Sequence, residues 1–278
     1  MGIFDKAILI SDIDGTLLYD GIIPQENIDA IEEFKKEGGL FTIATGRGVE
    51  AAEDTYYKLN CNLPAAVFHG GVVYDYQNKA ALFNDSLSKQ DKLIALKIFE
   101  KFSNIGVEIH SVDCLYIISH NDGLWHHVNY ENMHYKEVNA QEILGENWNK
   151  IVLFCDSEQD YISLNEYYKS LNYDNCIFEL TMTYQCKNGV ISKAIEFYPK
   201  SVNKGNAVRF LAEKYNRIPF TIGDYYNDLE LISASKYGAA TKEAPEDVKK
   251  LAKHITCGVK QGAVADYIGY IKSILRGS

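Results

Sequence analysis

Asp12-Ile13-Asp14-Gly15-Thr16 closes the apolar run Ala7-Ile8-Leu9-Ile10, so two carboxylates emerge where a buried strand stops at a glycine. If residues 12 to 14 stay extended, the two-residue period of a strand turns Asp12 and Asp14 to one side. There they repel unless a cation or a proton lies between them. A second junction follows the apolar run Leu40 to Ala44, where Thr45-Gly46-Arg47-Gly48 leads into a helical pattern from Val49 to Leu59. Backbone N–H groups at such a helix start suit a phosphate. Two further junctions carry charge. Lys204-Gly205-Asn206-Ala207 opens a helix, and Phe220-Thr221-Ile222 runs into Gly223-Asp224, with Asn227-Asp228 at the next helix start. Singly, each has an ordinary structural reading as an Asx-turn, a surface lysine or a plain strand-to-helix junction. Four of them in order, each at an expected strand end, point to one site, because a parallel sheet brings its strand carboxyl ends to a common edge.

The elements that must position these residues alternate. Strands at 7–10, 40–44 and 65–68 are separated by helices at 24–36 and 49–59, a pattern that predicts a parallel sheet with helices on its faces. From His69-Gly70-Gly71 the rhythm changes to a hairpin, with Val72-Val73-Tyr74 and Ala80-Ala81-Leu82-Phe83 about a polar turn. Residues 84–189 then carry helices at 88–103 and 158–171 and strands at 107–112, 115–119, 151–155 and 177–182, which fits an inserted mixed domain of ordinary size. The parallel pattern resumes with a strand at 193–198 and ends in an amphipathic helix from about 262 to 275.

At 278 residues and 46% hydrophobic content the chain can bury a sizeable core. Its formal net charge of -10 argues against a general nucleic-acid or anionic-membrane surface. The six cysteines form no C-x-x-C pair, which predicts reduced thiols in a cytoplasmic protein. No secretory pattern opens the chain and no run approaches a membrane span, so a soluble protein is expected. Five of the seven histidines (His110, His120, His126, His127 and His134) fall in the insert without H-x-x-x-H spacing, which argues against zinc. Burial in the insert's own core is the favoured reading of Trp125, His126, His127 and Tyr130 over contact with a substrate.

Together the four junctions resemble the haloacid dehalogenase (HAD)-like phosphohydrolases, and within them the Cof-type subfamily (subclass IIB), whose C2-type cap is inserted after the third core strand. The resemblance implies an α/β fold: a Rossmann-like parallel sheet core from residues 1–83 and 190–278, and an inserted α+β cap domain, 84–189, that sets specificity. It implies a magnesium-dependent phosphatase that hydrolyses small phosphorylated metabolites, either sugar phosphates or phosphorylated cofactors, through an aspartyl phosphate. Asp12 would be the nucleophile, Asp14 the general acid and base, and Lys204 the cation that neutralises Asp12 and the phosphate. Thr45, Gly46 and Asn227 would bind the phosphoryl group, and Arg47 and His69 would face the substrate. Mg2+ would be held by Asp12, Asp224 and the carbonyl of Asp14, with Asp228 orienting the set. Two positions depart from the family pattern: His69-Gly70 replaces the usual Asn-Gly, and Glu243 stands where Asn is common. These bear on the substrate more than on the reaction. A phosphotransferase or mutase on the same scaffold is the nearest alternative. A catalytically idle metabolite-binding protein is the other, disfavoured because no required carboxylate or cation is missing. A monomer or small homo-oligomer without nucleic-acid or membrane partners is expected.

Overall fold

A computed structural model describes residues 2–277. The chain divides into two compact units, one built from the segment up to Phe83 and the segment from Asn203 onward, the other from Asn84–Val202.

In the first unit, β1 (Ala7–Ser11), α1 (Gln25–Lys36), β2 (Leu40–Ile43), α2 (Val49–Lys58) and β3 (Ala65–Val67) alternate as the apolar spacing predicts. β4 (Val72–Asp75) turns back antiparallel on β3, and β5 (Ala80–Asn84) completes that three-stranded sheet. β1 lies between β2 and a later strand, pairs with both in parallel and is buried along its whole length. A strand covered on both faces must be continuously apolar, and Ala-Ile-Leu-Ile is.

The second unit holds a six-stranded sheet. Its elements are α3 (Lys89–Lys101), β6 (Gly106–His110), β7 (Leu115–Ser119), α4 (Asp122–Glu131), β8 (Tyr135–Glu137), β9 (Lys150–Cys155), α5 (Glu158–Ser170), β10 (Cys176–Gln185) and β11 (Ile191–Pro199). The sheet order is β10-β11-β9-β6-β7-β8. One face carries Val107, Ile109, Ile151, Leu153, Ile195 and Phe197 in a core with Ile94, Ala95 and Ile98 of α3 and Leu164 of α5. On the other, Val152, Phe154 and Ala194 pack with Leu124 and Val128 of α4. α4 is a helix where the sequence shows only a polar aromatic stretch. Asn121 caps it by accepting from Leu124 N at 3.1 Å. His127 fastens it to the sheet, its Nδ1 3.0 Å from the fully buried Glu108, which His110 also meets at 3.0 Å. Burial alone would raise the Glu108 carboxyl, but the His127 and His110 imidazoles hold it below its ordinary value. Tyr130, expected in this core, is instead exposed.

The return to the first unit lies later than the sequence indicates. The strand expected to rejoin the core at 190 is β11, which pairs antiparallel with both β10 and β9. Its alternating residues finish both faces of the six-stranded sheet, so the boundary falls at 202/203 rather than 189/190.

From Asn203 the parallel architecture resumes with α6 (Lys204–Tyr215), β12 (Ile218–Gly223), α7 (Leu229–Ser233), β13 (Ala239–Ala240), α8 (Glu246–Lys249), β14 (His254–Ile255) and α9 (Ala263–Arg276). The core sheet runs β14-β13-β12-β1-β2, with every pairing parallel. Ile8 and Ile10 of β1 join Ala207, Val208 and Leu211 of α6 and Leu231 of α7 in one core. Ala7 and Leu9 face the opposite way by the strand period, and α1 packs on α9. No helix among the described residues is long and apolar enough to cross a membrane.

The position of β11 gives a direct test. A polypeptide of residues 84–202 is expected to unfold cooperatively in urea. One ending at 189 lacks the strand that joins β9 to β10 and is expected to show no cooperative transition.

Candidate active site

Asp12 follows β1 directly, its N–H donating to Ile222 O at 3.0 Å, so the end of β12 fixes where its carboxylate starts. The chain does not stay extended beyond it. Ile13 turns into the core, and its carbonyl accepts from Leu17 N and Leu18 N at 2.9 and 2.8 Å. Asp12 and Asp14 therefore do not lie on one extended strand, and each meets a cation of its own, Lys204 and Arg47. Gly15 makes the turn at φ 81°, and a Cβ there would collide with the Asp224 carboxylate.

Lys204 is the buried partner of Asp12. Asn203 caps α6 by accepting from Asn206 N at 2.9 Å, which puts Lys204 in the first turn beneath the strand ends. Its Nζ lies 2.5 Å from Asp12 Oδ1 and 2.6 Å from Asp228 Oδ1, with the lysine wholly buried. The second oxygen of Asp228 accepts from Asp224 N at 3.0 Å and Tyr225 N at 3.3 Å, which locks the loop after β12. Thr16 Oγ1 donates to Asp224 Oδ1 at 3.1 Å.

One ammonium thus faces three carboxylates. Burial pushes the Asp12 carboxyl well above its ordinary value and the Asp228 charge pushes it the same way, with Lys204 opposing. Burial and the same Asp228 charge raise Asp224 to about 7. For Lys204 burial disfavours the charged form, but Asp12 and Asp228 outweigh it and raise its pKa. Asp12, Asp224 and Asp228 can each offer one oxygen with all three atoms within 4.8 Å of one another. A hard divalent cation fits this set on donor type and on charge, since oxygen ligands are what Mg2+ takes and a positive ion removes the repulsion.

The second group of residues is joined by hydrogen bonds. Arg47 grips the exposed Asp14 carboxylate bidentately, Nε to Oδ2 at 2.9 Å and Nη2 to Oδ1 at 2.7 Å, and its Nη1 donates to Ala51 O at 3.3 Å. Thr45 is buried and its Oγ1 accepts from Arg47 N at 3.1 Å. His69 N donates to Thr45 O at 2.9 Å, and Phe68 N to Arg47 O at 2.8 Å. Of the expected residues, Asp12, Lys204, Asp224 and Asp228 form one cluster, Asp14 pairs with Arg47, and Thr45, Gly46 and His69 adjoin that pair. Asn227 is exposed on the turn Tyr226–Asp228.

Two features escaped the sequence. Nothing in a lone Thr16 marks it as the partner of Asp224, and the Asp14–Arg47 grip joins residues on different strand ends. Glu243, the other departure, accepts from Val259 N at 3.2 Å and so ties down the turn after β14.

Set beside known proteins, the chain matches the model of haloacid dehalogenase-like hydrolases over residues 9–268. It belongs to that family, in its Cof-type branch. It is 26% identical over 271 residues to M6_Spy0533 of Streptococcus pyogenes, an alignment covering 92% of this chain and 95% of that protein. It is 23% identical over 270 residues to YitU of Bacillus subtilis, a 5-amino-6-(5-phospho-D-ribitylamino)uracil phosphatase, covering 95% and 97%. A haloacid dehalogenase-like hydrolase from Bacteroides thetaiotaomicron shares the fold, with a TM-score of 0.81 at 19% identity over 95% of this chain and 99% of the other.

The raised carboxyl groups fix a sign. Asp224 holds its proton in the folded state up to about 7, against 3.8 when exposed. Its contribution to stability is therefore complete below the lower value and is lost as pH rises between the two. In metal-free protein, the melting temperature of wild type minus that of Asp224→Asn is expected to fall across this window, and saturating Mg2+ is expected to flatten the fall. Lys204→Met leaves buried carboxylates without their cation and should cost about 3–5 kcal/mol by urea denaturation at pH 8 without metal.

Proposed function

We propose that this phosphatase of the HAD-like family hydrolyses small phosphorylated metabolites, sugar phosphates or phosphorylated cofactors, with Mg2+ and through an aspartyl phosphate on Asp12. The observation that carries the reading is Asp12 itself: a buried carboxylate at a strand end, aligned by Lys204 at 2.5 Å and neighboured by two further aspartates.

A carboxylate approaching a phosphate dianion is repelled by about 4 kcal/mol for each unit-charge pair at 4 Å, with an effective dielectric near 20. Lys204 supplies one fixed positive charge against this. Asp12, Asp224 and the Asp14 carbonyl would hold Mg2+, with Asp228 aligning the set, and the bound ion would supply the remaining positive charge. Thr45 Oγ1 and the Gly46 N–H are assigned to the phosphoryl oxygens and Asn227 to a further donor, groups that hold the phosphoryl group as charge develops on it. The Asp12 oxygen bonds to phosphorus while the bond to the leaving oxygen breaks, and Asp14 gives that oxygen its proton. Asp14 then takes a proton from the water that attacks the phosphoryl-aspartate, releasing phosphate and restoring Asp12. Arg47 holds Asp14 in place between these two transfers and stands on the substrate side. His69 borders the same loop.

The substrate class is supported by YitU, whose name specifies a phosphate on a ribityl chain. The inserted unit, residues 84–202, is assigned the choice of substrate.

Purified enzyme is expected to release phosphate from p-nitrophenyl phosphate with Mg2+ and to lose that activity in EDTA. Asp12→Asn should abolish turnover, and Asp14→Asn should lower kcat by at least about a hundredfold while phosphate still binds. Turnover that survives Asp12→Asn contradicts the mechanism.

A further inference from the structure

Beside the phosphate loop lies a stretch of unfavourable backbone. Phe68, His69 and Gly70 hold φ values of 50°, 57° and 87°, three left-handed residues in a row of which two are not glycine. Such a conformation in residues with bulky side chains persists only where the surroundings over-determine it.

Here the surroundings converge on Gly46. His69 N donates to Thr45 O at 2.9 Å, and Phe68 N donates to Arg47 O at 2.8 Å. The Thr45 carbonyl and the Gly46 N–H belong to one trans peptide plane and point in opposite directions. Fixing that carbonyl on His69 therefore aims the Gly46 N–H away from His69. The imidazole adds a second constraint. It lies so close to Gly46 that a Cβ there would fall 2.5 Å from Cε1 and 2.9 Å from Nε2. Gly70 closes the other side, where a Cβ would lie 2.6 Å from Asn203 O and 2.8 Å from Lys204 Cα. One buried turn thus sets the spacing between the phosphate loop and the start of the lysine helix.

We propose that His69 is a positioning residue whose ring, pressed against Gly46 from the left-handed turn, holds the Gly46 peptide in the orientation that receives a phosphoryl oxygen. The inference rests on the assignment of Gly46 to phosphate binding and adds what keeps that donor aimed. It acts through the shape of the ring and the backbone bond, not through a charge on the imidazole.

Asn is the substitution that separates function from folding, because Asn tolerates the left-handed region and keeps the backbone N–H but withdraws the ring from Gly46. The test is calorimetric binding of orthovanadate in the presence of Mg2+ to wild type and His69→Asn, with melting temperatures of both. His69→Asn is expected to bind orthovanadate about ten- to a hundredfold more weakly. Its melting temperature should be equal or higher, and the affinity ratio to wild type should be the same at about pH 6 and about pH 8. Equal affinity overturns the proposal. So does a lowered melting temperature accompanying the loss, which makes His69 a structural residue only, or a ratio that collapses at the higher pH, which makes it a charge contact. If wild type itself fails to bind orthovanadate, the phosphate-loop assignment falls and this inference falls with it. If wild type binds and the variant matches it, this inference falls alone.

Discussion

The site depends on an imbalance of charge around Lys204. One buried ammonium touches Asp12 and Asp228, and Asp224 stands within reach of both carboxylates. A buried ion pair with good geometry roughly offsets its own desolvation, whereas a buried carboxylate in excess does not. The excess is stored in the fold as raised proton affinity at Asp12 and Asp224. A divalent cation bound by these carboxylates would remove the excess and leave Asp12 ionised beside two positive charges.

The architecture makes this imbalance unavoidable. β1 and β12 are hydrogen-bonded neighbours that run in parallel, so Asp12 and Asp224 leave the same edge of the sheet on adjacent strands. α6 begins under that edge, and Gly205 and Gly70 allow its first turn to approach the loops closely enough for Lys204 to be enclosed. Gly15 and Gly223 do the same for Asp224 and Asp228, since a Cβ at either would strike the carboxylate it adjoins. Asp14, beyond the bend at Ile13, pairs with Arg47, and its charge adds to the rise at Asp224. The two aspartates of the motif are thereby given different surroundings, one buried and one exposed, which suits them to different chemistry.

Much of this was legible in the sequence because it is local. Apolar runs ending in Asp12, Thr45 and Gly223 mark buried strands and their carboxyl ends, and Lys204-Gly205 marks a helix start, so the four junctions and their convergence could be read directly. What could not be read depends on pairing between distant segments. The positive charge that two neighbouring carboxylates call for is present as Lys204 and Arg47, but the turn at Ile13, made by hydrogen bonds from Leu17 and Leu18, is not contained in strand periodicity. The apolar alternation of β11 fits either sheet, and only its pairing with β9 and β10 decides its unit. α4 gives no helical signal because one of its inward residues, between Leu124 and Val128, is His127, whose ring meets Glu108 on another strand.

If the carboxylate excess around Lys204 holds protons in place of a divalent cation, binding the ion must release them. Calorimetric titration of metal-free protein with Mg2+, repeated at about pH 6 in buffers of different ionisation enthalpy, measures that exchange directly. A single saturable site is predicted whose binding releases protons at that pH, with the release shrinking as pH rises through about 7 and the site weakened in Asp224→Asn. Saturable binding without proton release, or binding that survives Asp224→Asn unchanged, would contradict that exchange.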